Sequence, residues 1–410
     1  MRILAISSWC PYPPDNGAKL RVYKLLTHLA KQHSIRLLSF AEQGEDPQAS
    51  PLAEVCESVQ TVAGNPFKPQ APLAALDLFG TTPRSYRQTY SAEMQALVDQ
   101  AVPQCDAAIA FQIGAALYLA GHRGIPRILE EVETTVIRDR FHRRTISPAK
   151  MRAGLTWWKY SRFVQQLVES FDRSTVVSEI ERQHLVEIGC DAARVRVVAN
   201  GVDRAALFEP NKPVPGHMIY SGSVTYSANL EAVQYFVRDI LPRIQAARPD
   251  ALLKVTGETG TIDTRELSNL GVIFTGRVPD IQSEVTSSAV CVVPLKSGGG
   301  TRLKILEALA LGTPVVATTK GAEGLAVTNG DNILIADTPA AFAAHVIRVL
   351  DDASLRRRLA ANGRELVGRM YTWKQIGLAL DGVLQEAVES RSAKPSATAR
   401  AHQTYASSAR

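Results

Sequence analysis

Cysteine is scarce and scattered in this chain: Cys10, Cys56, Cys105, Cys190 and Cys291 stand far apart, with no Cys-x-x-Cys and no Cys/His spacing. A disulfide framework and a zinc site are therefore not expected, and a reducing cytoplasm fits best. Long apolar runs are also missing. Even the segment from Ile305 to Ala317 is interrupted by Glu307, Gly312 and Pro314, short of the roughly 18 to 20 residues of a spanning helix. The opening run Met1 to Cys10 has one basic residue and an apolar stretch too short for a secretory signal, and Pro11, Pro13 and Pro14 follow at once; it reads as a buried first strand. The turn after that strand, Ser7-Ser-Trp-Cys-Pro-Tyr-Pro-Pro14, lacks the glycines of a dinucleotide fingerprint, which weighs against an oxidoreductase.

What is present is ordinary for a folded protein: 45% hydrophobic and 21% charged residues over 410 positions, enough for about two or three domains at roughly 150 residues each. The formal charge of +6 and pI near 9.0 favour anionic partners, among which nucleotide phosphates, anionic lipid and nucleic acid are not separated by sign alone. Short apolar runs alternate with amphipathic segments: Ile3–Ile6 as strand, Ala18–Lys31 as helix, Ile35–Phe40 as strand, then runs at 107–111, 127–129 and 174–177, with a long helix from about Pro148 to Phe171. That alternation predicts βαβ units on a parallel sheet, and a first domain over 1–205. A second series over 206–372 starts at Gly216–Gly222, continues in a helix over Asn229–Ala247 with Val233, Phe236, Ile240 and Leu241 on one face, and adds strands at 251–256, 272–275, 290–294, 314–317 and 333–335. A last helix, about 373–389, carries Ile376, Leu380 and Leu384 at helical spacing, and the Ser-, Ala-, Lys- and Arg-rich tail 390–410 is expected to be disordered.

Two α/β domains in series place a ligand in the cleft between the carboxyl ends of their sheets. The most informative loop is Val292-Val-Pro-Leu-Lys-Ser-Gly-Gly-Gly-Thr-Arg-Leu-Lys-Ile-Leu-Glu307: a strand ends at Pro294, three glycines follow, and a helix begins near Thr301. Glycines let backbone approach a phosphate, and a helix N-terminus offers free N–H groups and partial positive charge, to which Arg302 and Lys304 add full charges. The loop is not a Walker sequence, and Leu303 stands where Gly-x-Gly-x-x-Gly would need its third glycine. Glu307, in the second turn of the helix, can accept hydrogen bonds from a ribose diol; a solvated helix acid is the alternative.

The loop, followed by Ala308-Leu-Ala-Leu-Gly-Thr-Pro-Val-Val-Ala317, resembles the retaining GT-B glycosyltransferases of the glycosyltransferase 4 group, in the branch with Gly-Gly-Gly-Thr-Arg-Leu-Lys. Asn200-Gly-Val-Asp203, Ser221-Gly-Ser223 with Tyr226 and Asn229, Phe274-Thr-Gly-Arg-Val278, Gly321-Ala-Glu-Gly-Leu325, Asn16-Gly-Ala-Lys-Leu-Arg21 and Val177-Ser-Glu179 add to the resemblance. It implies two Rossmann-like doubly wound domains facing across a cleft, and transfer of a sugar from a UDP- or GDP-activated donor to a glycan or lipid-linked acceptor with retention, without an obligatory metal or other cofactor. By the same resemblance Glu307 would bind the ribose, the backbone at Arg277 and Val278 the base, and Gly300, Thr301, Arg302 and Lys304, with Gly299 and Leu303 beside them, the diphosphate. Asn16 and Gly17 would face the diphosphate from the first domain, and the last helix would return to that domain. Nucleic acid is not expected as a partner.

The chain departs from the family's pattern in places. The first carboxylate of the family's Glu-x7-Glu falls at Gly299, the Arg and Lys of its Gly-Arg-x4-Lys turn fall at Ser223 and Ala228, and its frequent first-domain His falls at Glu130. Arg302 and Lys304 are candidates to replace the missing cations and to stabilise the leaving diphosphate. Glu130, with Glu131 and Glu133 near it, is a candidate for acceptor chemistry, the alternative being exposed loop acids. An epimerase of nucleotide sugars, or a non-catalytic nucleotide- or carbohydrate-binding protein, are the competing functions. From Arg138 to Arg162 eight basic residues face the single acid Asp139, with Trp157, Trp158 and Tyr160 interleaved. Residues 138–163 therefore read either as contact with an anionic membrane surface, making the protein peripheral on its inner face, or as a solvated helix whose tryptophans pack in the core.

Overall fold

The structure is a computed structural model that describes residues 1–42, 50–64, 83, 86, 89–142, 147–203, 213–268, 270–299 and 302–392. Gly300 and Thr301, Arg143 and Arg144, and the tail from 393 onward lie outside the described residues.

The chain forms two units. Unit 1 holds Met1–Val198 and the chain from Gly377 onward; unit 2 holds Ala199–Ile376. The boundary thus falls several residues before 205, and unit 1 is discontinuous. Its sheet contains β1 (Arg2–Ser7), β2 (Ser34–Ala41), β3 (Ser58–Ala63), β4 (Ala107–Phe111), β5 (Arg127–Glu130), β6 (Arg173–Val176) and β7 (Val195–Val197). They pair in the order β3-β2-β1-β4-β5-β6-β7, each pair parallel. Parallel strands are covered by helices on both faces, which is why Ile3, Leu4, Ala5 and Ile6 are all fully buried.

Unit 2 has six parallel strands: β8 (Val214–Ser221), β9 (Leu252–Thr256), β10 (Val272–Gly276), β11 (Ser288–Val293), β12 (Val315–Ala317) and β13 (Leu334–Ile335). Their order is β10-β9-β8-β11-β12-β13. The helix expected over Asn229–Ala247 is interrupted. It runs Ser227–Tyr235, widens to a π turn at Phe236–Ile240, and resumes at Leu241–Ala247. Pro242 explains the break, because it brings no N–H to the helical ladder. The four apolar residues predicted for one face, Val233, Phe236, Ile240 and Leu241, are nevertheless all buried.

The last helix, Trp373–Ser392, extends three residues into the segment expected to be disordered, and from Gly377 it belongs to unit 1. Its docking is specific. A Cβ on Gly377 would fall 2.1 Å from the His28 ring, Asp381 meets His33 Nε2 at 2.7 Å, Glu386 accepts from Arg173 at 3.1 Å, and Arg391 donates to Asp172 at 2.8 Å.

Candidate functional site

In unit 2 the order of strands changes direction between β8 and β11, so the loops leaving these two neighbours diverge and open a crevice at their carboxyl ends. Gly222, leaving β8, has φ 145°, and a Cβ there would lie 2.8 Å from Lys304 Nζ and 3.1 Å from Asn229 Nδ2. Lys304 reaches this turn from the first turn of the helix Leu303–Leu311, which Gly312 ends in left-handed conformation at φ 77°. Its ammonium donates to Asn229 Oδ1 at 3.1 Å and sits 3.9 Å from the Tyr220 ring centroid. Asn229 joins these parts: it also accepts from the Tyr220 hydroxyl at 2.7 Å and donates from Nδ2 to the Ser223 carbonyl at 2.7 Å. A cation from one loop is thereby held against a glycine turn of the other.

Burial pushes the Lys304 ammonium down to about 7, with Arg302 acting in the same sense. One turn along the helix, burial pushes the Glu307 carboxyl up to about 7 against the pull of Lys304. Both groups thus sit where an incoming ligand of opposite polarity shifts their proton occupancy. Glu307 is half-buried, and among the described residues nothing hydrogen-bonds to its carboxyl.

Arg302, expected from sequence as a charge beside the diphosphate, turns its guanidinium onto the glycine loop itself. It is 6% exposed and donates to the carbonyls of Gly299 at 2.9 Å, Gly298 at 2.8 Å and Lys320 at 3.2 Å, with Glu323 3.8 Å away. A planar fork with five donors suits this work, and it ties the glycine loop to the turn after β12. Leu303 packs against the core. Gly298, at φ 99°, lies against Tyr226 and Ala228. Ser223 bonds through its hydroxyl to the Glu258 carbonyl at 2.9 Å, and Arg277, exposed in the turn after β10 beside the half-buried Val278, pairs with Glu258 at 2.9 Å. Lys304, Ser223, Gly299 and Glu307 therefore belong to one set of neighbouring loops, and Asn229 and Tyr220, not chosen as site residues from sequence, hold two of its walls together. Asn229 stands in the sequence only as part of the resemblance carried by Ser221-Gly-Ser223 and Tyr226.

In unit 1, Asn16 caps the helix Gly17–Leu29, its Oδ1 accepting from the N–H groups of Ala18 at 3.1 Å and Lys19 at 3.0 Å, with Asn16 and Gly17 exposed. Glu130 is not an exposed loop acid. It and Arg21 are each 0% exposed, and Arg21 Nε donates to Glu130 Oε1 at 2.9 Å while Arg21 Nη2 donates to the Val198 carbonyl at 2.7 Å. Burial opposes the Arg21 charge, and the Glu130 and Glu131 carboxylates outweigh it, so its pKa stands above the usual value. The tryptophan alternative splits: Trp157 packs against the unit 1 core together with buried Tyr160 and Phe163, while Trp158 is 55% exposed.

Residues 15–206 match the family model "Glycosyltransferase Family 4", and residues 215–352 match "Glycosyl transferases group 1". Among curated proteins the chain is 29% identical over 158 residues to a GDP-mannose-dependent monoacylated alpha-(1-6)-phosphatidylinositol monomannoside mannosyltransferase of Corynebacterium glutamicum, covering 35% of this chain and 42% of that one. It is 27% identical to a glycogen synthase of Mycobacterium tuberculosis, covering 92% of this chain and 93% of that one. The chain spans about half the length of the first curated relatives it matches, 44%, 42% and 57%. Among solved structures it superposes on sucrose-phosphate synthase from Thermosynechococcus elongatus with TM-score 0.70 at 18% identity, covering 95% of this chain and 100% of that one. It also superposes on Anabaena HepE in complex with UDP and glucose, with TM-score 0.66 at 16% identity, covering 94% and 99%. The fold of both units is that of GT-B glycosyltransferases.

Proposed function

We propose that this chain, built from two glycosyltransferase domains on the GT-B fold, transfers a sugar from a UDP- or GDP-linked donor to a glycan or lipid-linked acceptor with retention of configuration. The observation that carries the reading is the Lys304 ammonium held by Asn229 against the Gly222 turn, with the Glu307 carboxyl one helical turn away. A diphosphate fits beside Lys304 and the glycines, and a ribose diol fits Glu307. As the bond between the anomeric carbon and the diphosphate oxygen breaks, negative charge grows on the diphosphate, and Lys304 stabilises it. Arg302 acts indirectly, by fixing the shape of the loop. The HepE complex with UDP and glucose supports a uridine donor, and the name of the Corynebacterium relative supports a guanosine donor. Retention, and turnover without a divalent metal, rest on the resemblance of the loop to its family; EDTA is expected to leave the rate unchanged.

Thermal-shift screening against UDP- and GDP-sugars, followed by assignment of the product's anomeric configuration by NMR, tests the reading, because a bound donor stabilises the native state by mass action. Stabilisation by no nucleotide sugar would end it. Isomerisation of donor alone would point to an epimerase, and binding without transfer to any acceptor to a binding protein.

Lys304→Ala is expected to weaken UDP or GDP binding about 10- to 150-fold, corresponding to a charge-assisted hydrogen bond of about 1.5–3 kcal/mol, and to change uridine or guanosine binding much less. The sign of its pH dependence follows from a pKa of about 7. The ammonium is populated below that value, so the difference between wild type and variant shrinks as the pH rises from 6 to 8.5. Calorimetry with nucleoside and nucleoside diphosphate checks both; equal losses for the two ligands would remove Lys304 from the diphosphate.

A lipid surface suits the acceptor side. On the helix Pro148–Ser170, Met151 is 78%, Leu155 52% and Trp158 55% exposed, spaced to share one face. Arg162 lies over the Trp158 ring at 5.6 Å, Arg152 and Lys159 stand alongside, and Glu169 is the helix's one acid. Interfacial Trp and flanking cations favour anionic headgroups. Cosedimentation with phosphatidylglycerol vesicles should be lost on changing Met151, Leu155 and Trp158 together to Ser, and should weaken with salt; binding retained by the triple variant would refute this contact.

A further inference from the structure

At the carboxyl ends of β4 and β5, neighbours in the unit 1 sheet, the chain passes through two left-handed residues that are not glycine: Gln112 at φ 70° and Glu131 at φ 61°. Left-handed backbone is unfavourable for a residue with a Cβ and persists only where its surroundings enforce it. Here they do. Thr175 of β6 accepts from the Glu131 N–H through Oγ1 at 3.0 Å and from the Val132 N–H through its carbonyl at 2.8 Å. The two unusual residues also meet through their side chains, Gln112 Nε2 donating to Glu131 Oε2 at 3.3 Å.

The consecutive acids Glu130 and Glu131 are thereby separated in role. Glu130 turns inward onto Arg21 and is fully buried, whereas Glu131 is half-buried and is gripped on one oxygen by an amide. Glu130 Oε2 is buried without a hydrogen-bond partner, so the acid that faces Arg21 has no free reach toward a ligand and Glu131 is the one left at the surface of the loop. Gln112 also opens the helix Gln112–Leu119, where a Cβ on Gly114 would come 2.9 Å from Ser8 Oγ in the loop after β1. β1 and β4 flank the point where the strand order of this sheet reverses, the place at which open α/β sheets take ligands. A carboxylate with a fixed amide beside it complements sugar hydroxyls. A metal is a poorer match, since the described residues contain no group of three His, Cys, Asp or Glu able to hold one.

We infer that Gln112 and Glu131 form the hydroxyl-binding pair for the acceptor sugar, Glu131 accepting from an acceptor hydroxyl while Gln112 fixes its orientation. The inference rests on the glycosyltransferase reading and places the acceptor contact one residue beyond Glu130. The charged groups around Glu131 are Arg21 from the helix Gly17–Leu29, Glu130 on its own strand and Glu133 in the loop that follows; Gln112 and Thr175 are neutral. Burial, with Glu130 and Glu133, pushes Glu131 up to about 7 against Arg21 and Gln112. Acceptor affinity therefore rises between pH 6 and pH 8 as the carboxylate forms.

The test is titration of the full-length chain, saturated with UDP or GDP, with n-octyl glucoside and n-octyl mannoside. Saturable binding by wild type, weakened tenfold or more in both Glu131→Gln and Glu131→Gly, with loss of the pH dependence and unchanged UDP or GDP affinity, is the expected result. Glu131→Gly separates this role from a structural one. Glycine adopts φ 61° without strain, so the variant should melt no lower than wild type while losing the glycoside. Undiminished glycoside binding in Glu131→Gly, or no saturable binding by wild type, overturns the inference. Failure of wild type to bind either nucleotide would instead overturn the donor reading on which it rests.

Discussion

Glu130→Ala is expected to destabilise unit 1 by about 3–5 kcal/mol, because it strands the fully buried Arg21 guanidinium without its counter-charge. Arg21→Ala should be similarly damaging from the other side, since it removes both the partner of Glu130 and the donor to the Val198 carbonyl. The informative variant is the double replacement Arg21→Met with Glu130→Leu. It removes both desolvated charges and keeps apolar volume, and it should recover most of the loss in the manner of buried pairs replaced by packed hydrophobic residues. Denaturant unfolding of the full chain, followed by tryptophan fluorescence, to which unit 1 contributes Trp9, Trp157 and Trp158 and unit 2 only Trp373, checks the ordering single below double. The same variants separate architecture from chemistry. If the double variant folds and transfers sugar, Glu130 is a pedestal under the acceptor loop; if it folds and binds donor normally but is inactive, the charged pair is needed to keep the neighbouring Glu131 in its working state.

Glu307→Ala is expected to weaken UDP and GDP binding by roughly 10- to 150-fold, the range for losing one charge-assisted hydrogen bond of about 1.5–3 kcal/mol. Nucleosides should lose as much as nucleoside diphosphates, unlike the pattern for Lys304→Ala. Unchanged affinity for every nucleotide sugar would sink the ribose role. The apo-protein should respond in the opposite direction. Glu307 has its folded pKa raised from 4.5 to about 7 by burial, so it opposes folding increasingly as the pH climbs from 4.5, and fully once the pH exceeds 7. Glu307→Gln should therefore raise the melting temperature of the ligand-free chain at pH 8 and leave it unchanged near pH 4, measurable by thermal melts across pH. A site residue that costs stability until its ligand arrives is a stronger indication of function than position alone.

Much of the fold was legible because parallel sheets write themselves as short apolar runs spaced by amphipathic helices, as in Ile3–Ile6, 107–111 and 290–294. The same property hid the fate of Glu130. All four residues of β5, Arg127 to Glu130, are buried, so the strand has no in-and-out alternation from which the direction of a terminal acid can be read. Arg302 was legible as a charge at a helix start; that the carbonyls of Gly298, Gly299 and Lys320 converge on it depends on the path of two loops far apart in sequence. The break in the helix after β8 has its one sequence sign in Pro242, which the apolar spacing on either side masks by continuing in phase. Gln112 and Glu131 carry no sequence signal of left-handed backbone, since neither is glycine or asparagine; only the enforcing contacts from Thr175 make it visible.

The return of the last helix to unit 1 has a consequence for how the protein is made. About 180 residues of unit 2 are inserted between Val198 and Gly377, so at about 5–20 residues per second the ribosome needs roughly 10–35 s to supply the helix that lies against His28, His33 and Arg173. Unit 1 has to wait that long with this face uncovered, whereas unit 2 has its whole sequence in hand as soon as its own synthesis ends. The domain that starts first is therefore the one that finishes last.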